Sequence, residues 1–439
     1  MTLNDALDRT TLLMRDEVLM SVPDEALLLA LTGTHVALVA DAVSLRSHSA
    51  QSAFVTAALL MARTGHCVYL IAPDMPMAGH QIPLRSGSLI TELVAAGVDL
   101  LPGVEFSTSL PDHPVDLVVA LGDTKIDIAT DRCIRLNATA WTGSIERSAL
   151  PWRGEDWPLG GMAAGALAAV EAFKCAIQKL RHGAHNPERL RTVFAPTDEV
   201  TYQLAPEDTP QVDALGAFDC ISGGAIIHAA LYVLSRVPNV TGHTRIIEPD
   251  TADLSNLNRY AILRRQDVGR AKGEQVADAL ASTGILVDPI DVRYDRDIRK
   301  NLRLAPAVLV GVDDIPTRWE VQRANPGWLA VGATTHWCSM ASFHEAGLGC
   351  AECAHPYDDP NGGRIPTIAF VSFWAGLLTA SYFLRHLSGA GVPAHEQQTY
   401  MTPLRAENTI HSGVPVRHGC RSCSEPSQQR VTTSRLAVA

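Results

Sequence analysis

One stretch concentrates the side chains that can do chemistry: Glu248-Pro-Asp250-Thr-Ala-Asp253-Leu-Ser255-Asn256-Leu-Asn258-Arg259, then twelve residues to Lys272. Two cations and an amide suit polyphosphate, which Arg and Lys hold through charge-assisted hydrogen bonds. Taken singly, Arg259 and Lys272 read as solvated surface cations; their joint spacing with Asn256 sets them apart. Ahead of the stretch lie an apolar strand, Ile246-Ile247, and a helical pattern rising from Gly223-Gly224. Strand, glycine turn, helix, strand ending in an acid is the order of a nucleotide-binding βαβ unit. Its glycines let backbone N–H groups approach phosphate, and its acid, here Glu248, meets ribose hydroxyls. The plain alternative is a glycine pair that only turns the chain.

Asp313 closes another apolar run, Ala307-Val-Leu-Val-Gly-Val. At the carboxyl edge of a parallel sheet it can hold a magnesium ion that bridges phosphate oxygens, or it can cap the helix that starts near Thr317. Cys350-x-x-Cys353 and Cys420-x-x-Cys423 are two thiol pairs whose number and grouping suit a closed, structural zinc site, with disulfides as the alternative. Cys67, Cys133, Cys175 and Cys220 lie in or beside apolar segments and read as core. Cys338, near His336 and Trp337, is the remaining candidate for a reactive thiol.

The elements that must position these groups fill two halves. The 439 residues suffice for two domains, and a net charge of −11 argues against a general nucleic-acid binder. The start of the chain lacks the order of a secretory signal, so a cytoplasmic location is expected. The apolar run Ile368 to Leu384 is marginal for a membrane span and is expected to be a buried helix, with no membrane association. From Phe218 onward, strand and helix patterns alternate: strands at 218–222, 244–248, 285–292, 307–312 and 329–333, helices at 225–237, 269–282 and 317–325. That alternation predicts a largely parallel sheet. Before Asp198 the same alternation recurs more faintly: strands at 36–41, 67–73 and 115–123, helices at 51–63 and 158–180, and a polar hairpin-like stretch at 191–204. The expectation is an internal duplication with its boundary in 198–212, giving domains 1–205 and 206–439. The first copy lacks both the glycine turn and the Asn-x-x-Arg element.

The run Asp-x-x-Asp-Leu-Ser-Asn-Leu-Asn-Arg with Asp267-Val-Gly-Arg-Ala-Lys272 resembles the signature of the ThiF/MoeB and ubiquitin-activating enzyme superfamily, and the likeness extends from about Ala217 to Cys423. The resemblance implies an α/β fold of two Rossmann-like doubly wound domains in tandem. The first would be an inactive copy paired with the active one as an intrachain pseudo-dimer, and the second would carry a structural zinc site of Cys350, Cys353, Cys420 and Cys423. It implies ATP- and magnesium-dependent adenylation of the C-terminal carboxylate of a ubiquitin-like protein or peptide, with a conjugating enzyme as a further partner. By the same resemblance Arg259 and Lys272 contact the ATP phosphates, Asn256 helps to position them, Glu248 binds ribose, Asp313 holds magnesium, and Gly223 and Gly224 form the phosphate turn. An arginine near the start, Arg15 or else Arg9, would reach the phosphates from the other half.

Three departures stand out. The family's Gly-x-Gly-Gly-x-Gly turn reads Ile221-Ser222-Gly223-Gly224-Ala225-Ile226, and Asp314 stands where the family's Asp-Asn-x-x-x-Arg has asparagine before Arg318. The loop Ala354 to Pro366, where thiol-transferring members carry their nucleophile, has no cysteine. Two other readings remain open here: a peptide-modifying relative of a natural-product pathway, and a binding scaffold with a decayed nucleotide site.

Overall fold

The structure is a computed structural model that describes residues 2–17, 22–85, 87–181, 187–358 and 365–424. Two helices, α1 (Leu3–Glu17) and α2 (Asp24–Thr32), lead into the first sheet. Its elements follow as β1 (His35–Val39), α3 (His48–Thr64), β2 (Cys67–Ile71), α4 (Leu89–Val98), β3 (Phe106–Ser107) and β4 (Leu117–Leu121). Then come β5 (Cys133–Ala138), β6 (Thr142–Glu146), α5 (Leu159–Lys179), α6 (Pro187–Thr192) and β7 (Val200–Gln203). The second half begins with β8 (Ala214–Ile221), α7 (Ala225–Leu234), β9 (Thr241–Ile247), α8 (Lys272–Leu280), β10 (Ile285–Ile290) and α9 (Arg296–Asn301). It continues through β11 (Ala307–Val310), α10 (Ile315–Arg323), β12 (Trp328–Thr335), β13 (Cys338–Glu345) and α11 (Ala351–Ala354). The last elements are α12 (Ala369–Leu387), β14 (Gln398–Met401), β15 (Ile410–Ser412) and α13 (Arg421–Ser424).

The two sheets share one plan. The first runs β3-β2-β1-β4-β5-β6-β7 and the second β10-β9-β8-β11-β12-β13-β14-β15. In each, the first five strands of that order are parallel and those beyond join antiparallel. The chain is therefore a tandem of two Rossmann-like units. Matching positions make α3 the counterpart of α7 and α5 that of α12. Strands buried on both faces read as unbroken apolar runs, such as Leu117-Val-Val-Ala-Leu121, because helices cover both sides.

The halves meet through these helices, and two buried arginines cross the seam in opposite senses. Arg63, in the last turn of α3, donates to the carbonyls of Leu257 (2.6 Å), Ala261 (3.1 Å) and Leu263 (2.7 Å). Arg236, just past α7, donates to the Ile82 carbonyl (2.6 Å) and to Gln81 Oε1 (3.1 Å). Each arginine thus leaves the first helix of one half and grips the loop after the second strand of the other. Thr56 and Tyr232 add a hydroxyl pair at 2.9 Å between α3 and α7.

Some expectations change. The hairpin-like stretch 191–204 is the end of α6 and a single strand, β7, whose partner is β6. That strand also occupies part of the expected boundary: the first sheet ends at Gln203 and the second starts at Ala214. Strands expected around Thr402 and Ile410 correspond to β14 and β15, whereas β3, β5, β6 and β13 were not anticipated; they carry polar residues or glycine and are defined by cross-strand pairing more than by apolar pattern. Cys133 opens β5 in an exposed position and is not a core residue, whereas Cys67 and Cys220 are buried. The apolar run 368–384 forms α12 inside the core. One helix, α5, is long and apolar enough to cross a membrane by composition, and 94% of its window is buried inside the protein.

Candidate functional site

In the second sheet β8 lies between β9 and β11, so the chain leaves β8 in opposite directions to its two neighbours. Open α/β sheets bind ligands in the crevice at such a switch point. The turn Ile221-Ser222-Gly223-Gly224 opens onto it, with Ser222 held at φ 96°. Gly224 is the N-cap of α7 and supplies no side-chain acceptor, which leaves the first N–H groups of the helix facing the crevice. A Cβ on Gly223 would come within 3.0 Å of both Glu248 and Lys272, so glycine is what lets these groups converge.

The two isoleucines of this turn fit through compensation on the sheet. Ile221 is buried beside Ile247, Val310 and Val331. Ile226 takes the position where glycine would ease helix-to-sheet packing, and the space comes from the facing strand: a Cβ on Gly332 would lie 2.5 Å from Ile226 Cγ2. Gly311 yields to Ile227 in the same way, at 2.9 Å. The small residues have moved from the helix to the sheet, which keeps the close approach.

Glu248 braces the turn. Its carboxylate accepts from the Gly223 N–H (2.6 Å), Ser222 Oγ (3.3 Å) and the Asp250 N–H (3.0 Å). Two of these bonds fall on Oε2, so Oε1, which accepts only from Asp250, keeps lone-pair capacity for a ribose hydroxyl. Lys272 begins α8 and is buried; its Nζ lies 2.9 Å from Asp250 Oδ2 and 4.0 Å from Glu248 Oε1. Burial works against its charge, but Tyr260, Glu248 and Asp250 outweigh it and hold the ammonium above its ordinary pKa.

Asn256 and Asp253 form a reciprocal capping box on the 3-10 turn Leu254–Asn256, so the Asn256 carbonyl is committed to the Asp253 N–H at 2.9 Å. Arg259, half-buried, donates to Asn258 Oδ1 (2.8 Å) and to the Ser255 carbonyl. Both cations flank one ring: the Tyr260 centroid is 5.5 Å from Arg259 Cζ and 5.9 Å from Lys272 Nζ. Behind Tyr260, at 4.6 Å between ring centroids, sits His228 of α7, fully buried with both ring nitrogens unpartnered. Burial, with Arg63 and Lys272 nearby, pushes its pKa down to about 3. Tyr260, Asp250 and His228 were not singled out in the sequence; the adjacency of Tyr260 to Arg259 was its one available signal.

Asp313 stands exposed past the end of β11 and makes no hydrogen bond or ion pair among the described residues, while its neighbour Asp314 is the N-cap of α10, accepting from the Thr317 N–H at 2.9 Å. The capping alternative therefore belongs to Asp314, and Asp313 faces solvent with its carboxylate unengaged. Arg318 is buried, donates twice to the Val312 carbonyl (3.1 and 2.8 Å), and is pushed down to about 10 by burial against the pull of Asp313 and Asp314.

From the first half, α1 packs onto the loop that holds Arg259: Asn258 Nδ2 donates to Thr10 Oγ1 at 3.0 Å. Arg9 donates to the Ile365 carbonyl at 3.0 Å and lies close enough to Arg259 to depress its pKa further, after burial. Arg15 pairs instead with Asp24 at the start of α2, both side chains about 40% exposed (42% and 43%). Six residues along a helix place it about 240° round from Arg9, so the structure does not bring it to the other site residues. Of the loop 354–366, residues 359–364 lie outside the described residues.

In the first half, the matching crevice is filled. The strap Leu150 to Glu155 lies against the carboxyl ends of β4 and β5: a Cβ on Gly122, just past β4, would come within 2.9 Å of the Trp152 N, while Asn137 of β5 donates to the Pro151 carbonyl at 2.9 Å and accepts from the Arg153 N–H at 3.0 Å. The Glu155 carbonyl accepts from the Ser49 N–H at 2.9 Å, and Ser47 caps α3 through the Ala50 N–H. The helix N-terminus that would meet phosphate is thus satisfied internally.

The four cysteines converge as the pairs alone suggested. Their sulfurs lie within 4.8 Å of one another, with separations of 3.6 Å (Cys350–Cys353), 3.5 Å (Cys350–Cys420), 3.6 Å (Cys353–Cys423) and 3.3 Å (Cys423–Cys350). A tetrahedron of about 2.3 Å metal–sulfur bonds has edges of about 3.8 Å, so the cluster is compatible with zinc. All nine cysteines are free thiols, and none of the four forms a disulfide.

Residues 231–423 match the model of the ThiF family, and residues 35–188 that of the BilD N-terminal domain. The chain thus carries a ThiF family domain in its second half and a BilD N-terminal domain in its first. The ThiF match begins beyond the altered glycine turn and ends at the last cysteine of the cluster. Among curated proteins, the uncharacterized protein y4jF of Sinorhizobium fredii is 26% identical over 227 residues, 51% of this chain and 41% of that protein. The NEDD8-activating enzyme E1 catalytic subunit of Dictyostelium discoideum is 39% identical over 75 residues, 17% of each. The chain thus spans less than half the length of either curated relative. Solved structures of E. coli MccB overlap in part: the complex with selenomethionine MccA at TM-score 0.40 and 14% identity, covering 66% of this chain and 97% of that one, and the complex with ATP at TM-score 0.41 and 16% identity, covering 59% and 85%.

Proposed function

We propose that this protein binds ATP with magnesium and adenylates the C-terminal carboxylate of a ubiquitin-like protein, releasing pyrophosphate. The observation that carries the reading is the convergence of the Gly223 turn, Glu248, Arg259 and Lys272 in one crevice, with Asp313 at its edge. The ThiF family match and the stretch similar to a NEDD8-activating enzyme E1 subunit support the same class of chemistry. A carboxylate oxygen attacks the α-phosphorus, the bond to the bridging oxygen breaks, and its electrons leave on pyrophosphate. The α7 N-terminus and the Gly223 N–H seat the phosphates, Glu248 takes the ribose, and Lys272 and Arg259 offset the negative charge that grows on the leaving group. Asp313 has the free carboxylate that would hold magnesium, which when bound neutralises and bridges phosphate oxygens. Arg9, already beside Arg259, is the arginine we assign to reach across from the first half, in preference to Arg15.

Burial raises the Cys338 thiol above its ordinary pKa, which is opposite to what a nucleophile needs, and the loop 354–366 has no cysteine. We assign the acyl adenylate as the product handed to a conjugating enzyme or other nucleophile, in the cytoplasm, where free thiols persist. The test is pyrophosphate exchange stimulated by candidate ubiquitin-like proteins and by short peptides. Lys272→Ala and Asp313→Ala should each lower it by roughly a hundredfold or more with the fold intact, the scale of losing one preorganised charge contact. Near-normal exchange in both would remove the assignment. Stimulation by short peptides alone would move the reading to peptide modification.

A further inference from the structure

A second concave region lies apart from the crevice just described. It is a cleft of about 980 Å³ between the halves, walled on one side by residues within 76–85 and Gly87 of the first and on the other by residues within 262–282 of the second. Its floor is partly apolar, with Met77, Pro83, Leu84 and Ile262. Arg85 and Arg264 both line it, one from each wall: burial lowers the Arg264 pKa and Arg85 lowers it further, against the pull of Asp99, Asp267 and Glu92. Neither side chain makes a hydrogen bond or an ion pair among the described residues. Arg270, in the same wall, is already matched by Asp267 and Asp278.

Both guanidinium groups line the cleft, in walls that also carry Arg270 with its partners Asp267 and Asp278. Planar guanidinium forks match phosphate bidentately. A further observation points the same way: Gln275 lines the cleft at 2% exposure, with an amide oxygen that has no hydrogen-bond partner. A buried acceptor left unmade costs about 1–3 kcal/mol, which a ligand O–H or N–H would relieve. Gln266 and the carboxylates of Asp267 and Asp278 extend the same wall with more acceptors for hydroxyls.

From this geometry we propose that the interdomain cleft is a second ligand site, separate from the nucleotide crevice, which takes a small organic phosphate bearing hydroxyl groups: its phosphate lies between Arg85 and Arg264 and its hydroxyls meet the Gln275 wall. The volume suits a molecule of sugar-phosphate or mononucleotide size, pockets for such ligands spanning about 300–1,000 Å³ at domain interfaces. Because residues 81–82 are also gripped by Arg236, a ligand here touches the seam between the halves. The site stands whether or not the adenylation reading holds.

The experiment is calorimetric titration of the full chain with three probes: ribose 5-phosphate, inorganic phosphate, and an acidic decapeptide rich in Asp and Glu. Ribose 5-phosphate should saturate one site per chain, bind more tightly than phosphate alone, and bind Lys272→Ala as well as wild type. Arg264→Gln should weaken it by at least roughly tenfold, the scale of one charge-assisted contact. Should Arg264→Gln fail to fold, the exposed Arg85→Gln serves, with the same expectation. The proposal is overturned if neither phosphate shows saturable binding, if binding disappears in Lys272→Ala but survives in Arg264→Gln, or if only the peptide binds.

Discussion

At the scale of single residues, the candidate site depends on one side chain that carries no charge. Arg259 and Lys272 both lose hydration through burial, and both stand near the face or edge of Tyr260. A desolvated cation–π contact contributes roughly 1–2 kcal/mol. Tyr260→Phe should therefore leave the ATP KM within about twofold, while Tyr260→Leu should raise it by roughly tenfold or more, with circular dichroism unchanged. Equal effects of the two substitutions would show that the hydroxyl or general packing matters and the ring does not. Much of this site was legible in the sequence, because Asn256, Arg259 and Lys272 keep a rigid spacing inside a strand-turn-helix frame. What was not legible follows from distance in three dimensions. Asp314 takes the cap because its φ of −72° and extended ψ place it, not Asp313, at the start of α10. The choice between Arg9 and Arg15 turned on which face of α1 meets Asn258, a docking geometry that no local pattern encodes. Likewise, the glycines that make room for Ile226 and Ile227 lie on β11 and β12, far along the chain.

At the scale of elements, two features admit decisive measurements. The cysteine cluster joins the short helices α11 and α13, which have only four residues each and cannot hold their places through their own hydrogen bonds. Metal–thiolate bonds would fix them, and with them the loop that precedes α12. Elemental analysis should find one zinc per chain, and chelation should lower the melting temperature; a metal-free preparation with the same melting temperature would contradict this. The strap Leu150 to Glu155 makes a different expectation. It occupies the first half's crevice with hydrogen bonds from Asn137, Ser47 and Ser49, and it leaves α3 no free N-terminus for phosphate. Titration of Arg264→Gln, in which the interdomain cleft is disabled, with a non-hydrolysable ATP analogue should thus give one nucleotide per chain, and two would mean that the strap moves aside. The sequence showed that the first copy lacked the glycine turn and the Asn-x-x-Arg element. It did not show the strap, because 150–155 is an irregular segment rich in Pro, Gly and Trp whose role is set by what lies beneath it.

At the scale of the molecule, a duplicated fold has been made asymmetric: one half keeps a crevice open, the other fills its own and supplies contacts. The two buried arginines are where that division can be measured. Both are stripped of water, and burial lowers their pKa to about 9 for Arg63 and about 10 for Arg236, so their donors must be matched by carbonyls. Removing either leaves carbonyls of the opposite half unsatisfied, at about 1–3 kcal/mol each. Arg63→Met and Arg236→Met should both lower stability to denaturant by several kcal/mol on that scale. Their effects on catalysis should part. Arg63 holds the carbonyls of Leu257, Ala261 and Leu263, which bracket Arg259 and Tyr260, so its loss loosens directly the loop proposed to hold phosphate. Arg236 holds Gln81 and Ile82, on the far side of the seam from the nucleotide crevice. Under conditions where both variants remain folded, pyrophosphate exchange should fall at least tenfold in Arg63→Met, on the order of one lost positioning contact, and by no more than about threefold in Arg236→Met. Equal losses would mean that the halves act as one rigid block, in which any weakening of the seam disturbs the site. Selective loss in Arg63→Met would instead show that the first half shapes the nucleotide loop of the second through a single side chain.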